Sequence, residues 1–277
     1  MSVTPRKRIV VTGPTSGIGK QIALDLARPG VDLILACRDT LKGAALAEAI
    51  SKNGSDSPAL VMEVDVSSQR SIRGFSREPR GRYPRLDVLV NNAGTAQLDR
   101  HETVDGIELT FATNVLGYHL LTRELLPLLS ASAPSRVVIV ASTFAGDLDL
   151  DDLQFQRRPF EGLRAYAQSK ACNRLLTWAL SRRLSGTGVV ANAMAPGFVP
   201  GTDLSRNLAP ETRRAYKERS GRSIREGADT AVWLATSPAT ASTTGCFYFD
   251  RQELHCQFRN TEVEERLWDI CERLVSA

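Results

Sequence analysis

"VVTGPTSGIGK", residues 10–20, decides the fold of this 277-residue chain. An apolar run passes into a stretch that carries Gly13, Gly17 and Gly19. Glycine this dense lets a backbone come close to a ligand, and a helix that follows points its free N–H groups at an anion. Two phosphate loops must be told apart. The triphosphate loop places four residues between its glycines, then Lys-Ser or Lys-Thr. Here five residues separate Gly13 from Gly19, and Gln21 follows Lys20, so the hydroxyl that would hold magnesium is missing. The dinucleotide fingerprint is G-x-G-x-x-G. This chain has G-x-x-x-G-x-G, which offers a pyrophosphate the same strand, tight turn and helix N-terminus. Thr12, Thr15 and Ser16 add hydroxyls, and Ile18 lies inside the loop. Taken alone, the stretch is also compatible with a merely tight strand-to-helix turn.

Outward from the loop, short apolar runs alternate with longer helical patterns. The runs are RIVVT (8–12), VDLILAC (31–37), ALVMEV (59–64), LDVLVN (86–91), RVVIVA (136–141), GVVANAM (188–194) and GCFYF (245–249). Most are continuously apolar, as strands buried on both faces of a parallel sheet are. Helical patterns fall at 17–28, 41–51, 69–76, 105–129 and 163–184. The alternation predicts an α/β fold: a single-domain, doubly wound Rossmann arrangement, with a mostly parallel seven-stranded sheet and helices on both faces. No internal repeat or linker interrupts residues 1–277. Residues 146–162 and 201–223 break the rhythm after strand ends, so they are expected to form substrate walls or a lid.

The second strand ends in "ACRD". An acidic residue there would meet a 2′-hydroxyl, and an arginine a 2′-phosphate. Cys37 stands in the acid's place and Arg38 follows. A guanidinium suits phosphate with its two-pronged fork, which favours NADP(H) over NAD(H). The alternative is a solvent-facing Arg38 with Asp39 capping the next helix.

Composition excludes several classes. The net charge is +4, with the basic residues scattered except for "REPRGRYPR", a local basic loop at 77–85. No base-reading motif accompanies them, so no nucleic-acid partner is expected. The five cysteines show no C-x-x-C, and His101, His119 and His255 show no ligand-like spacing, so no metal is expected. No apolar run approaches a membrane span, so a soluble, cytoplasmic protein is expected.

"AYAQSKACN" places Tyr166 and Lys170 four residues apart, on one helical face. An ammonium beside a phenol favours phenolate, which makes a general acid for a carbonyl oxygen or a base in reverse, although Y-x-x-x-K by itself is common and usually inert. Cys172, two residues on, points away and reads as packing.

The combination resembles the short-chain dehydrogenase/reductases. It comprises TGPTSGIG (12–19), DVS (65–67), NNAG (91–94), FATNVLG (111–117), IVAS (139–142), YAQSK (166–170) and APG (195–197), in the family's order and over nearly the whole chain. LILACRD, NVLGYHLLT, the long gap from Ser142 to Tyr166, SKACN and LWDICERL resemble the retinol-dehydrogenase-like and WW-domain-oxidoreductase-like branch.

The resemblance implies a set of roles. Tyr166 donates the proton, Lys170 lowers its pKa and holds the nicotinamide ribose, and Ser142 stabilises oxyanion charge. Asn114 supports a water chain to Lys170. Asp65 and Val66 meet the adenine, and Asn92, Ala93 and Gly94 line the adenine ribose and nicotinamide side. Pro196, Gly197 and Val199 flank the nicotinamide.

Some positions depart from the pattern. Ala141 precedes Ser142 and Thr143 follows, so Thr143 is a rival hydroxyl. "PGFVPGTDL" puts Gly201 and Thr202 after the PG pair, which places the carboxamide contact of Thr202 in doubt. Position 16 carries no basic residue, so NADP(H) rests on Arg38. Phe144, Phe160 and Phe198 suggest a bulky hydrophobic or aromatic carbonyl or alcohol as the small-molecule substrate, although each is also a candidate for the core. Two other functions stay open: a dinucleotide-binding regulator without turnover, and a carbon–carbon double-bond reductase resembling protochlorophyllide reductase. The family forms monomers and homo-oligomers, so the state is open.

Overall fold

β1 (Lys7–Thr12) begins the described part of the chain, which comprises residues 6–200, 202, 204, 211, 213–214, 218–256 and 258–276 of a computed structural model. The chain continues through α1 (Gly17–Leu26), β2 (Val31–Cys37), α2 (Thr40–Lys52), β3 (Leu60–Glu63), α3 (Gln69–Arg82) and β4 (Val88–Asn91). A long helical run follows, made of α4 (Leu109–Phe111), a π segment (Ala112–Leu116) and α5 (Gly117–Ala131). Then come β5 (Ser135–Val140), α6 (Gly162–Arg183), β6 (Val189–Ala195), α7 (Ile224–Thr236), β7 (Phe247–Phe249), β8 (Gln252–Glu253) and α8 (Thr261–Ser276).

The strands form one sheet in the order β3-β2-β1-β4-β5-β6-β7-β8. All neighbours from β3 to β7 are parallel. The expected seven strands become eight. β8 turns back antiparallel on β7, pairing Tyr248 with Glu253 and Phe249 with Gln252. Its two residues are exposed and polar, so no hydrophobic period marked them.

Both sheet faces are covered, which is why the strands read as continuous apolar runs. On one face α3, α5, α6 and α8 bury Ile72, Phe75, Leu120, Leu175 and Leu267 against Val10, Val137 and Ala191. On the other, α1, α2 and α7 bury Ile22, Leu46 and Ala231 against Val11, Leu33 and Val90. The strand order reverses between β1 and β4, and the crevice beyond their carboxyl ends is where such sheets bind ligands.

Several elements differ from the sequence expectation. The helix expected at 105–129 starts at Leu109, because both carboxylate oxygens of Glu108 cap the N–H groups of Thr110 and Phe111 at 2.7 Å. α3 runs on to Arg82, so most of the supposed basic loop is a helix end. α7 and α8 were not expected. α7 opens with a capping box, in which Ser223 and Glu226 each bond the other's backbone N–H. α8 buries Leu267, Cys271 and Val275 at every fourth position. Most of the 201–223 insertion, Gly201 included, lies outside the described residues. Among the described residues no helix is long and apolar enough to cross a membrane.

Candidate active site

The glycine loop joins β1 to α1 at the strand-order reversal. Gly13 and Gly17 adopt φ values of +60° and +52°, the left-handed region that glycine enters freely. A Cβ on Gly13 would lie 2.8 Å from Ala93 Cα, and one on Gly19 only 2.1 Å from the Gly13 carbonyl and 2.3 Å from Asn92 Nδ2. The loop is thus pressed onto the end of β4. Asn92 holds it there, donating from Nδ2 to the carbonyls of Thr12 at 2.9 Å and Gly13 at 3.2 Å.

Thr12 corrects one expectation. It is buried, and its hydroxyl accepts the N–H groups of Asn92 and Ala93 and donates to Val90, so it clamps β1 to β4 and does not face a ligand. Thr15, Ser16 and Ile18 stay on the loop. Ser16 occupies the N-cap of α1 without a side-chain cap bond, and the first turn has no acidic residue. A cradle with two left-handed glycines, no room for side chains and an uncapped helix N-terminus fits a dinucleotide diphosphate.

At the end of β2, Cys37 is buried. Asp39 caps α2, accepting from Lys42 N at 3.0 Å, and pairs with Lys42 Nζ at 3.2 Å. Arg38 between them is exposed. Asp65 is held by its own turn, accepting from Ser67 N and Oγ at 2.9 and 2.7 Å. Val66 follows it, and a Cβ on Gly117 would lie 2.3 Å from the Val66 carbonyl, so only glycine lets α5 come this close. The sequence reading gave Gly117 no role of its own.

Ala93 and Gly94 carry the crevice towards α5 and α6. A Cβ on Gly94 would lie 3.4 Å from Asn114 Oδ1 and 3.9 Å from Lys170 Nζ. Asn114 lies within the π segment, a distortion found at functional sites. Its side chain is fully engaged. Oδ1 accepts from Thr95 N at 2.8 Å, and Nδ2 donates to Thr95 O and to Ser169 Oγ.

Lys170 is buried, and Nζ donates to the Val140 carbonyl at 2.9 Å. Burial pulls its pKa down from 10.5 to about 7. The ammonium lies between two phenols, 5.6 Å from the Tyr166 ring centre and 5.8 Å from that of Tyr118. Tyr166 is half-buried, and the exposed Phe144 ring stacks on it at 6.5 Å and 18°. Ser142 is buried, and its Oγ accepts from Phe144 N at 3.0 Å, whereas Thr143 beside it is exposed. The serine loop, the tyrosine–lysine helix and the glycine loop thus close around one crevice.

The model of the short chain dehydrogenase family matches residues 7–213. The chain belongs to the short-chain dehydrogenase family. Mouse retinol dehydrogenase 14 is 36% identical over 97% of the chain and 86% of its own length. Human retinol dehydrogenase 13 is 39% identical over 98% and 85%. Among solved structures, an uncharacterised protein from Mycobacterium paratuberculosis superimposes with a TM-score of 0.77 at 30% identity, covering 98% of this chain and 94% of that one. Pseudomonas aeruginosa RhlG, solved as an NADP active-site complex, gives 0.69 at 29%, covering 88% and 96%. This short-chain dehydrogenase is therefore an oxidoreductase of the retinol-dehydrogenase-like kind.

The remaining sequence candidates in this short-chain dehydrogenase sit around the mouth. Pro196 and Gly197 follow β6. Gly197 takes φ +76°, with Phe249 and Arg222 packed where a side chain would go. Val199 is buried against Gly227, and its carbonyl accepts from Thr202 Oγ1 at 3.2 Å. Thr202 in turn touches the Gly17 side of the loop. Phe198 lies under the Arg219 guanidinium at 4.9 Å. Phe160 packs edge-on against Phe155 at 5.3 Å, inside the 146–162 insertion. Asp152 organises this insertion by accepting the N–H groups of Gln156, Arg157 and Arg158, and Gln168 ties it to α6.

The sequence reading missed Arg174. It is buried one turn beyond Lys170 and donates to the Ser142 backbone carbonyl. Nη1 meets Cys256 Sγ at 3.6 Å, and the guanidinium lies 3.8 Å from the Phe247 ring centre. Among the described residues no carboxylate pairs with it, and burial lowers its pKa. Its four-residue spacing from Lys170 was the available signal.

Proposed function

We propose that this oxidoreductase uses NADP(H) to move a hydride between the nicotinamide and a ketone, an aldehyde or a secondary alcohol, with a bulky hydrophobic or aromatic substrate. The observation that carries the reading is the convergence of Ser142, Tyr166 and Lys170 on a crevice that also holds the glycine loop. Bound NADPH would supply the hydride. Tyr166 gives its proton to the substrate oxygen and takes it back in the reverse direction. Ser142 donates a hydrogen bond to that oxygen as negative charge develops. Lys170 in its ammonium form favours the Tyr166 phenolate and binds the nicotinamide ribose. Asn114 braces Thr95 and Ser169 on either side of these groups.

Gly13, Gly17, Ile18, Gly19, Thr15 and Ser16 hold the diphosphate. Asp65 and Val66 meet the adenine, Asn92, Ala93 and Gly94 line the adenine ribose and nicotinamide side, and Pro196, Gly197 and Val199 flank the nicotinamide. Arg38 at the end of β2, with Cys37 in the acid's place, supports the choice of NADP(H); its exposure and the Asp39 cap fit the alternative of a solvent-facing arginine equally well, so the choice rests on the guanidinium's fit to a 2′-phosphate. Phe144, stacked on Tyr166, forms an apolar wall for the substrate, with Phe198 at the rim. The named relatives are retinol dehydrogenases, and a long apolar alcohol suits such a wall.

The test is NADPH consumption by purified protein with ketones, aldehydes including retinal, and polycyclic quinones, comparing wild type with Tyr166→Phe. Turnover is expected in wild type and lost in the variant. Undiminished turnover in Tyr166→Phe would refute the mechanism. Tight NADPH binding without turnover on any compound would favour a dinucleotide-binding regulator.

A further inference from the structure

Arg174 stands where the buried stretch of α6 calls for an apolar residue. Its neighbours one turn either way, Ala171 and Trp178, are buried, and so is Arg174 itself. A buried cation is costly without a counter-charge, and among the described residues no carboxylate pairs with this one. The charge is seated by other means. The guanidinium lies 3.8 Å from the Phe247 ring centre and 5.2 Å from that of Phe258, and Nη1 donates to Cys256 Sγ at 3.6 Å. Phe247 is on β7, and Cys256 and Phe258 are in the link from β8 to α8. The seat is therefore built by the last part of the chain, far in sequence from the residue that it holds.

What the guanidinium holds in turn is Ser142. Nη2 donates to the Ser142 carbonyl, two residues past the end of β5. Regular pairing stops just before this point, where the Ala141 N–H donates to the Met194 carbonyl at 2.8 Å. The Ser142 side chain is held as well, its Oγ accepting from the Phe144 N–H at 3.0 Å. That bond occupies a lone pair of Oγ and leaves the hydroxyl its own proton to donate. The carbonyl bond sets the plane of the peptide that leads from Ser142 towards Phe144. The two bonds together fix where Oγ sits.

We propose that Arg174 is a positioning residue for the oxyanion donor: seated by Phe247, Cys256 and Phe258, its guanidinium fixes the Ser142 carbonyl and thereby aims the Ser142 hydroxyl at the substrate oxygen. The inference rests on the reading of Ser142 as that donor. Arg174 makes and breaks no bond in the reaction. Its effect is to tie the serine loop to the C-terminal part of the chain.

The test is a double-mutant cycle of wild type, Arg174→Met, Ser142→Ala and the double variant. Turnover is measured with NADPH and the ketone, aldehyde or quinone that wild type reduces fastest. Ser142→Ala should lower kcat about 100-fold or more, as loss of an oxyanion donor does. Arg174→Met should lower kcat about tenfold beside Ser142, and less than about twofold where Ser142 is already alanine. NADPH affinity by fluorescence titration should be the same in all four. A tenfold loss that recurs in the Ser142→Ala background would overturn the proposal, because a residue that merely packs acts whether or not the hydroxyl is there. Phe258→Ala covers the case in which Arg174→Met does not fold, since Phe258 is only half-buried and the arginine stays in place. It should lower kcat about threefold and lose that effect in the Ser142→Ala background. An unchanged kcat in Phe258→Ala would count against the seat and overturn the proposal. Full activity in Ser142→Ala, or a wild type that reduces none of the compounds, would overturn the reading of the site and this inference with it.

Discussion

Replacing Lys170 by methionine should make the cofactor-free protein more stable, and the gain should depend on pH. Methionine keeps the length and lack of branching of the lysine stem, so the packing volume is nearly conserved. What changes is the charge. Burial draws the lysine from 10.5 to about 7 in the folded state. Below pH 7 both folded and unfolded chains carry the proton, and the burial penalty is present in full. Between pH 7 and 10.5 only the unfolded chain keeps it, so stability rises with pH; above that range the penalty is gone. Linkage gives a penalty of about 4 kcal/mol at pH 7, about 2 at pH 9 and below about 1 at pH 10. Against this, the variant loses the bond from Nζ to the Val140 carbonyl, about 1 kcal/mol. The net gain is about 3 kcal/mol at pH 7 and about 1 at pH 9. Urea unfolding of both proteins at the two pH values, without cofactor, measures the difference, and other titrating groups cancel in it. The variant should also lose turnover. A variant less stable than wild type at pH 7, or a difference independent of pH, would show that the Lys170 ammonium is not held at a desolvation cost.

Three further perturbations address other parts of the site. Gly19→Ala forces a methyl group within 2.1 Å of the Gly13 carbonyl. The loop must open, so NADPH affinity by fluorescence titration should fall at least about tenfold and stability by about 1–3 kcal/mol. Arg38→Asp should move the ratio of kcat/KM values from NADPH towards NADH by about tenfold or more, because a carboxylate repels a 2′-phosphate and accepts from a 2′-hydroxyl; an unchanged ratio counts against Arg38 as the selector. Arg174→Met leaves the buried Ser142 carbonyl without its donor. It should lower kcat about tenfold with the KM for NADPH unchanged, whereas equal losses in both would assign Arg174 to general packing.

Legibility differed between kinds of residue. The glycine loop could be read because it is local: two left-handed turns and a helix start fall within seven residues, and only glycine tolerates the contacts at positions 13 and 19. Helical period put Tyr166 and Lys170 on one face, and the resemblance to the short-chain dehydrogenases, carried by motifs along nearly the whole chain, singled the pair out. Arg174 and Tyr118 follow the same four-residue rule from Lys170 and Asn114, yet nothing in the sequence says that α5 and α6 bring those faces together. Phe160 was left open between pocket wall and core by its type, and only the fold shows it edge-on against Phe155. Thr12 looked like a ligand donor and is spent on joining two strands, a role visible only once β1 and β4 are neighbours.

By itself, then, the sequence determined the parallel α/β sheet, the place of the dinucleotide loop and the tyrosine–lysine pair. The sheet follows from periodicity, a property of short stretches, while the loop and the pair were singled out by the family's motifs occurring together and in order. Tertiary structure set Asp39 as the cap of α2 and left Arg38 exposed, and it alone decided that burial pulls Lys170 down to about 7 and that a second phenol, Tyr118, and a buried guanidinium bonded to the Ser142 carbonyl, Arg174, lie beside Tyr166 and Lys170. Burial and contact between residues far apart in the chain set the charges of a site, and no local pattern encodes them.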